Sequence, residues 1–86
     1  MGTPTVDEIA STIVSFLNAE IMAPGHGVGR DDRLAAAGID SMALLRVLLF
    51  IEGAYGFWVP DEDLVEGNVA TAQALARYVT CRIGAD

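Results

Sequence analysis

The most restrictive feature of this sequence is an apolar run in its middle, from Met42 to Ile51. Asp40 and Ser41 stand directly before the run, and each has a side-chain oxygen that can cap the first turn of a helix. We therefore expect a helix from about Ser41 to Ala54. A helix that is apolar on all sides is either wholly buried or presents an apolar face to a partner. Full burial is difficult in a domain of 86 residues.

Helical periodicity divides the side chains of this predicted helix between two sides. One side is assigned to the core and carries Leu44, Val47, Leu48, Ile51 and Tyr55. The other side is predicted to bind a partner protein and carries Met42, Ala43, Arg46, Leu49 and Phe50. Met42 and Leu49, next to the serine, form the centre of this predicted partner face.

A first helix is predicted from about Val6 to Glu20, because apolar residues recur there at helical spacing. Thr5 and Glu8 have the spacing of a capping box at its start. The glycine-rich residues 23–29 that follow are interpreted as a flexible connector. Leu34, after a polar turn, is expected to enter the core and hold this loop in place.

The sequence of the C-terminal half predicts one short helix and one long helix. The short helix is expected to open at Pro60–Leu64, with its acidic residues in the first turn. Thr71 is the predicted N-cap of the last helix, whose core stripe is Ala72, Leu75, Ala76, Val79 and Ile83. Strand pairs are not predicted. The expected fold is all-α, with three main helices and one short helix, in a single domain of residues 1–86 whose ends at 1–4 and 84–86 are frayed.

Composition restricts the function classes. The net charge is −7, from 12 acidic residues and 5 basic ones that are all arginine, so nucleic acid is not an expected partner. The single cysteine, Cys81, excludes an internal disulfide and a cysteine-based zinc site. His26, the only histidine, lies in the glycine-rich loop with nothing to orient it for catalysis. Neither a signal peptide nor a membrane span is predicted, and we expect a cytoplasmic protein.

Three motifs together are distinctive. Gly38-Ile39-Asp40-Ser41-Met42 is followed without a gap by Tyr55-Gly56-Phe57-Trp58-Val59-Pro60-Asp61-Glu62-Asp63, and then by Thr71-Ala72-Gln73-Ala74-Leu75-Ala76-Arg77-Tyr78-Val79. In these motifs the chain resembles the acyl and peptidyl carrier proteins, over nearly its whole length. The resemblance implies a four-helix bundle of the acyl-carrier-protein type.

The resemblance also implies a function. Ser41 matches the serine that accepts 4′-phosphopantetheine from coenzyme A, and Asp40 matches the aspartate that assists the magnesium site of the transferase. The chain would then hold acyl or aminoacyl groups as thioesters without being a catalyst. Its implied partners are a phosphopantetheinyl transferase, an activating ligase and a downstream synthase or transferase, and it would act as a monomer.

The chain departs from the family pattern at two places. Met42 stands where leucine usually follows the serine, which is a volume-conserving change. The second helix has Arg46 and a single acid, Glu52, where fatty-acid carriers have several exposed acids. We therefore expect partners to dock through apolar contacts, so that affinity responds weakly to salt. The sequence then supports a peptidyl or aminoacyl carrier about as well as it supports a carrier of fatty-acid synthesis.

A different class of function stays open from the residues alone. A small helical interaction module could use the apolar face around Met42, Leu49 and Phe50 and carry no prosthetic group. Ser41 would then be only a helix cap, and replacing it by alanine would cost about 1 kcal/mol of stability.

Overall fold

The computed structural model describes residues 3–84, and all regular structure within that range is helical. Its α-helices are α1 (Val6–Phe16), α2 (Ser41–Tyr55), α3 (Glu66–Val69) and α4 (Ala72–Ile83). The predicted fold, an all-α bundle of three main helices and one short helix, is confirmed. None of the helices in residues 3–84 is long and apolar enough to span a membrane. The prediction of frayed ends falls partly on Met1, Gly2, Ala85 and Asp86, which lie outside the described residues.

The first helix begins as its sequence predicts. The Glu8 backbone N–H donates to Thr5 Oγ1 at 3.1 Å, and the Thr5 backbone N–H donates to Glu8 Oε1 at 2.8 Å. These two bonds satisfy donors that the first turn would otherwise leave without partners. Ile9 and Ile13 are fully buried on the face of α1 that packs mainly on α4.

The end of α1 differs from the prediction. The α-helix stops at Phe16, and the chain continues as a π-helical turn from Leu17 to Ile21. The Met22 N–H donates to the Leu17 carbonyl at 2.8 Å, five residues back. A turn of this kind is rare and often marks a place with a specific task. Here it contains Asn18, which binds the following loop.

The loop after α1 is anchored rather than freely flexible at its C-terminal part. The Val28 N–H donates to Asn18 Oδ1 at 2.8 Å, and Asn18 Nδ2 donates to the Val28 carbonyl at 3.1 Å. The Val28 side chain is only 4% exposed. The interpretation of residues 23–29 as a flexible connector is therefore wrong at Val28, because a partner ten residues away supplies the missing backbone bonds.

Further along, the loop is attached to both long terminal helices. Arg30 Nη1 lies 2.7 Å from Asp7 Oδ1 on α1, and the Arg30 carbonyl accepts from the Gln73 N–H at 2.9 Å on α4. The Leu34 N–H donates to the Ala70 carbonyl at 2.9 Å, and the Leu34 side chain is buried as predicted. The loop thus reaches α2 along a fixed path.

The short helix lies further along the chain than expected. Asp61–Asp63 forms only a single 3-10 turn, and α3 begins at Glu66. Leu64 and Val65 separate the two, and Val65 is extended, with φ −109° and ψ 158°. Asn68 Nδ2 donates to the Asp63 carbonyl at 2.9 Å, which replaces a bond that a continuous helix would have made.

The core is built mainly from α1, α2 and α4, with Leu17 of the π-helical turn and the loop residues Val28, Leu34 and Ile39. Its fully buried members include Ile9, Ile13, Leu17, Val47, Ile51, Leu75 and Val79. Alanines at positions 10, 72 and 76 are also fully buried. Because alanine adds little volume, these positions let α1 and α4 approach closely, which suits a small domain with few residues to fill its interior.

A cluster around Asp63 fixes the other side of the bundle. The Tyr78 hydroxyl donates to Asp63 Oδ2, and Arg82 Nη1 lies 3.4 Å from the same oxygen. The Arg82 guanidinium stands over the Phe57 ring, 5.6 Å from its centroid. Burial, and then the hydrogen bond and negative charge of Asp63, raise the pKa of Tyr78 to about 12.

We predict that Asn18→Ala destabilises the protein by about 1–3 kcal/mol, because two backbone groups of Val28 lose their partner. Urea unfolding followed by circular dichroism measures the loss. Glu20→Ala, an exposed change in the same turn, is the control and should stay close to wild type. Equal stability of the Asn18 and Glu20 variants would contradict this role for Asn18.

We predict that Asp63→Asn lowers the pKa of Tyr78 from about 12 towards its ordinary value, because the carboxylate favours the neutral phenol. Because the pKa of Tyr78 is higher in the folded state than in the unfolded state, the neutral side chain stabilises the fold. This contribution is fully present below pH about 10 and is lost as pH rises through about 12. Absorbance titration of phenolate in a Tyr55→Phe background isolates Tyr78. An unchanged midpoint in Asp63→Asn would leave burial as the sole cause.

Candidate functional site

The segment that leads into α2 turns sharply and is then anchored. Gly38 has φ 92°, a left-handed conformation that glycine adopts without a steric penalty. The next residue, Ile39, is buried, and its N–H donates to the Leu34 carbonyl at 3.0 Å. The turn and the buried isoleucine therefore fix where the chain leaves the core.

Asp40 is the N-cap of α2. Its Oδ1 accepts from the Ala43 backbone N–H at 2.9 Å, and its backbone is extended, as an N-cap residue requires. Ser41 is the first residue inside the helix and is exposed. The sequence allowed either residue to be the cap, and the structure assigns that role to Asp40. The start of α2 therefore does not require the Ser41 hydroxyl.

The position of Ser41 has a definite electrostatic character. The first turn of an α-helix presents free backbone N–H groups and the positive end of the helix dipole. This environment favours an oxygen that carries a negative group, above all a phosphate ester. Ser41 combines this position with exposure to solvent, so that a large partner could reach its hydroxyl.

Ser41 lies between two surface grooves. The first has a volume of about 250 Å³ and is lined by Arg33, Ala35, Ile39, Asp40, Ser41, Leu44, Glu66, Val69 and Ala70. The second has a volume of about 350 Å³ and is lined by Ser41, Met42, Leu44, Leu45, Leu48 and Leu64. The first groove joins apolar side chains to charged ones, whereas all of the second groove except Ser41 is apolar.

One ion pair stands at the first groove. Arg33 Nη2 lies 2.6 Å from Glu66 Oε2, and both side chains are about two-thirds exposed, at 66% and 68%. An exposed pair of this kind contributes at most about 1 kcal/mol. Arg33 can therefore exchange its partner for another anion in the groove at small cost.

The structure divides the residues of the predicted partner face. Met42 and Leu49 are 69% and 53% exposed, and Arg46 is exposed beside them. Ala43 and Phe50 are only half-exposed and pack against the core, and the Phe50 ring stacks on Phe16 with centroids 4.4 Å apart. The partner-binding roles of all five residues stay predictions.

Sequence reasoning missed two residues of the site. Leu45 is 41% exposed and lines the second groove, and Leu64 lines the same groove. The spacing of Leu45 from Met42 and Leu49, three and four residues, would have placed it on their face. Leu64 had no such signal, because its contact with α2 depends on the path of the segment after the 3-10 turn.

The other reactive side chains lie outside this site. His26 and Cys81 are both exposed, in the first loop and on α4 respectively. Within residues 3–84, histidine, cysteine and carboxylate side chains do not gather in groups of three that could hold a metal ion.

Comparisons with known proteins address the family. The sequence profile described as "Phosphopantetheine attachment site" matches residues 7–79. A search of curated proteins gives no match. Among solved structures that are similar, one has a TM-score of 0.63 and 21% identity over 84% of this chain and 95% of the other. It is described as Bradyrhizobium japonicum glycine:[carrier protein] ligase complexed with glycylated carrier protein.

The two findings agree with the geometry. The structural similarity supports the carrier-protein fold, with three long helices and a short one. The profile covers most of the chain, including the start of α2, and domains that match it are sites of covalent 4′-phosphopantetheine attachment. The chain therefore belongs to the phosphopantetheine attachment site family, and its cofactor is 4′-phosphopantetheine.

Proposed function

We propose that the chain carries 4′-phosphopantetheine on Ser41 and passes acyl or aminoacyl groups, held as thioesters, between partner enzymes. The observation that carries the proposal is that Asp40, and not Ser41, caps the start of α2. Asp40 caps the helix through the Ala43 N–H, which leaves the exposed Ser41 hydroxyl free for modification. A serine used only as a cap would itself have bound that backbone group.

The residues around Ser41 fit the cofactor. When bound, the group supplies a terminal thiol on which a cargo can be held as a thioester. The positive end of α2 and the Arg33 guanidinium favour the charge of a phosphodiester on Ser41. Ile39, Leu44 and Val69 offer apolar contacts along the same groove.

The chain's own part in this function is to position, not to catalyse. Asp40 and the buried Ile39 hold the start of α2 in one place, so that Ser41 is presented at a fixed point of the surface. A group tethered there meets each partner's active site at a high effective concentration. We therefore propose that it is not an enzyme.

The proposed partners follow from this task. A phosphopantetheinyl transferase would modify Ser41, a ligase would load the thiol, and a synthase or transferase would receive the cargo. The glycylated carrier protein in the similar structure, seen with its ligase, supports a ligase as the loading enzyme. We also propose that the protein is a monomer and works in the cytoplasm.

The alternative, an interaction module without a prosthetic group, has less support. It requires Ser41 to serve only as a cap, whereas Asp40 has that role in the structure. The exposed Met42 and Leu49 are equally compatible with docking of partner enzymes on a carrier. The two functions differ in whether Ser41 is modified.

We predict that the protein gains the mass of one phosphopantetheine when it is incubated with coenzyme A and a broad-specificity transferase. Ser41→Ala should show no gain, because the accepting oxygen is removed. Intact-protein mass spectrometry measures both. Ser15→Ala, which removes an exposed serine from α1, should be modified like wild type.

The same variant also tests the cap assignment. Since Asp40 caps the helix, Ser41→Ala should unfold at nearly the wild-type urea concentration, without the loss of about 1 kcal/mol that removing a cap causes. Absence of a mass gain on well-folded wild-type protein would overturn the proposal and favour the interaction module.

We predict that Asp40 variants separate its two roles. Asn is as good an N-cap as Asp, so Asp40→Asn should keep the stability but lose the negative charge that assists the transferase. Asp40→Ala should lose the charge and also about 1 kcal/mol of stability. The rate of modification should fall in both variants and the free energy of unfolding only in Asp40→Ala. A wild-type rate in Asp40→Asn would limit Asp40 to capping.

A further inference from the structure

The exposed side of α2 is an apolar patch with one cation inside it. Met42, Leu45 and Leu49 are 69%, 41% and 53% exposed, and successive members lie three or four residues apart on one face. Arg46 lies on the same face, between Met42 and Leu49 in sequence, and is exposed. We call these four residues the α2 patch.

Arg46 differs from the arginines that hold the fold together. Arg30, Arg33 and Arg82 pair with Asp7, Glu66 and Asp63 respectively. Within residues 3–84, none of the ion pairs includes Arg46. Its neighbours three and four residues away are Met42, Ala43, Leu49 and Phe50, which offer no carboxylate. Because Arg46 is exposed, its guanidinium faces water in the free protein.

Covering the α2 patch would remove that water. A guanidinium taken out of water without an acceptor carries a large desolvation penalty, whereas a carboxylate can receive it through two parallel hydrogen bonds. A lysine or arginine at the same point would add charge repulsion. The surface that covers the patch must therefore supply an acceptor for Arg46, and a carboxylate fits its planar fork best.

We propose that the partner docking on α2 presents an apolar surface with a carboxylate placed to receive Arg46. The inference rests on the proposed function only in that partner enzymes dock on this helix. The chain as a whole has a net charge of −7, so its long-range field attracts basic surfaces. Arg46 reverses that preference locally and discriminates against partners that place a cation at this point.

A second copy of the chain is the competing occupant. In an antiparallel α2 pair centred on Leu49, Arg46 would face Glu52 of the second copy, because both lie three residues from the centre. A single helix pair is small compared with the interface of roughly 1,000 Å² that a specific complex needs. The sequence position of Glu52 therefore makes self-association a distinct outcome of the test.

The test uses three synthetic helical peptides with the same leucine-rich face and Glu, Gln or Lys at its centre. Each is titrated into the ¹⁵N-labelled protein, and amide shifts along α2 give the dissociation constant. We expect the Glu peptide to bind about fivefold or more tightly than the Lys peptide, with Gln between them. In Arg46→Gln the three affinities should become nearly equal.

Arg77→Gln is the matched control. It removes the same charge from an exposed position on α4, so it keeps any general effect of net charge while leaving the α2 patch intact. The order of the three peptides should survive in this variant. Both variants should still gain the mass of phosphopantetheine, which separates failure of this inference from failure of the proposed function.

Three results of the peptide titrations would overturn the proposal. The Glu and Lys peptides could bind equally, all three peptides could fail to bind at millimolar concentration, or the shifts could map outside α2. Sedimentation of the free protein tests the second copy. A dimer that Arg46→Glu dissociates, and that Arg46→Glu combined with Glu52→Arg restores, would assign the patch to self-association instead.

Discussion

The hydrogen bond from the Ala43 N–H to Asp40 fixes the residue at which α2 begins, and the rest of the site depends on it. A helix that starts at Ser41 buries Val47, Leu48 and Ile51. The same register exposes Met42, Leu45 and Leu49. A shift of α2 by one residue against the rest of the bundle would rotate every side chain by about 100° about the helix axis and exchange core residues with solvent-exposed ones. The cap and the buried side chains of α2 therefore specify the same register, and that register places Met42, Leu45 and Leu49 on the surface beside the serine.

The long loop before α2 has little regular structure but is held at several points. Val28 is bound by Asn18, Arg30 contacts both terminal helices, and Leu34 enters the core. Each anchor combines a backbone hydrogen bond with burial or charge, so the loop carries few unsatisfied groups. The loop brings Ile39 to a fixed place, and α2 starts from there.

The sequence was most informative where the signal is local. The caps Thr5 and Thr71 follow from local sequence signals, and the structure confirms them. It also buries most of the predicted core stripes, whereas Leu44, Tyr55 and Ile83 are only partly buried. The sequence could not decide between Asp40 and Ser41 as the cap, because both side chains suit that position. The geometry of the two backbone residues decides it.

The features that sequence reasoning missed depend on distant partners. Asn18 binds a residue ten positions away, and Arg30 contacts Asp7 across 23 positions. The expected helix at Pro60–Leu64 is only a 3-10 turn, and Asp63 at its end is bonded by Tyr78 and Arg82 from α4. Such contacts form only when the helices are packed, so local sequence patterns do not predict them.

The brevity of α3 has a consequence for the local stability of the bundle. Four residues, Glu66–Val69, form about one turn, which is too short to be stable without its tertiary contacts. Val69 and Glu66 nevertheless line the groove beside Ser41. The wall of this groove is held by packing on α4, by one exposed ion pair, and by the hydrogen bonds of Leu34 to Ala70 and of Asn68 to Asp63. We therefore expect this wall to open locally at a lower free-energy cost than global unfolding, while the three long helices stay folded.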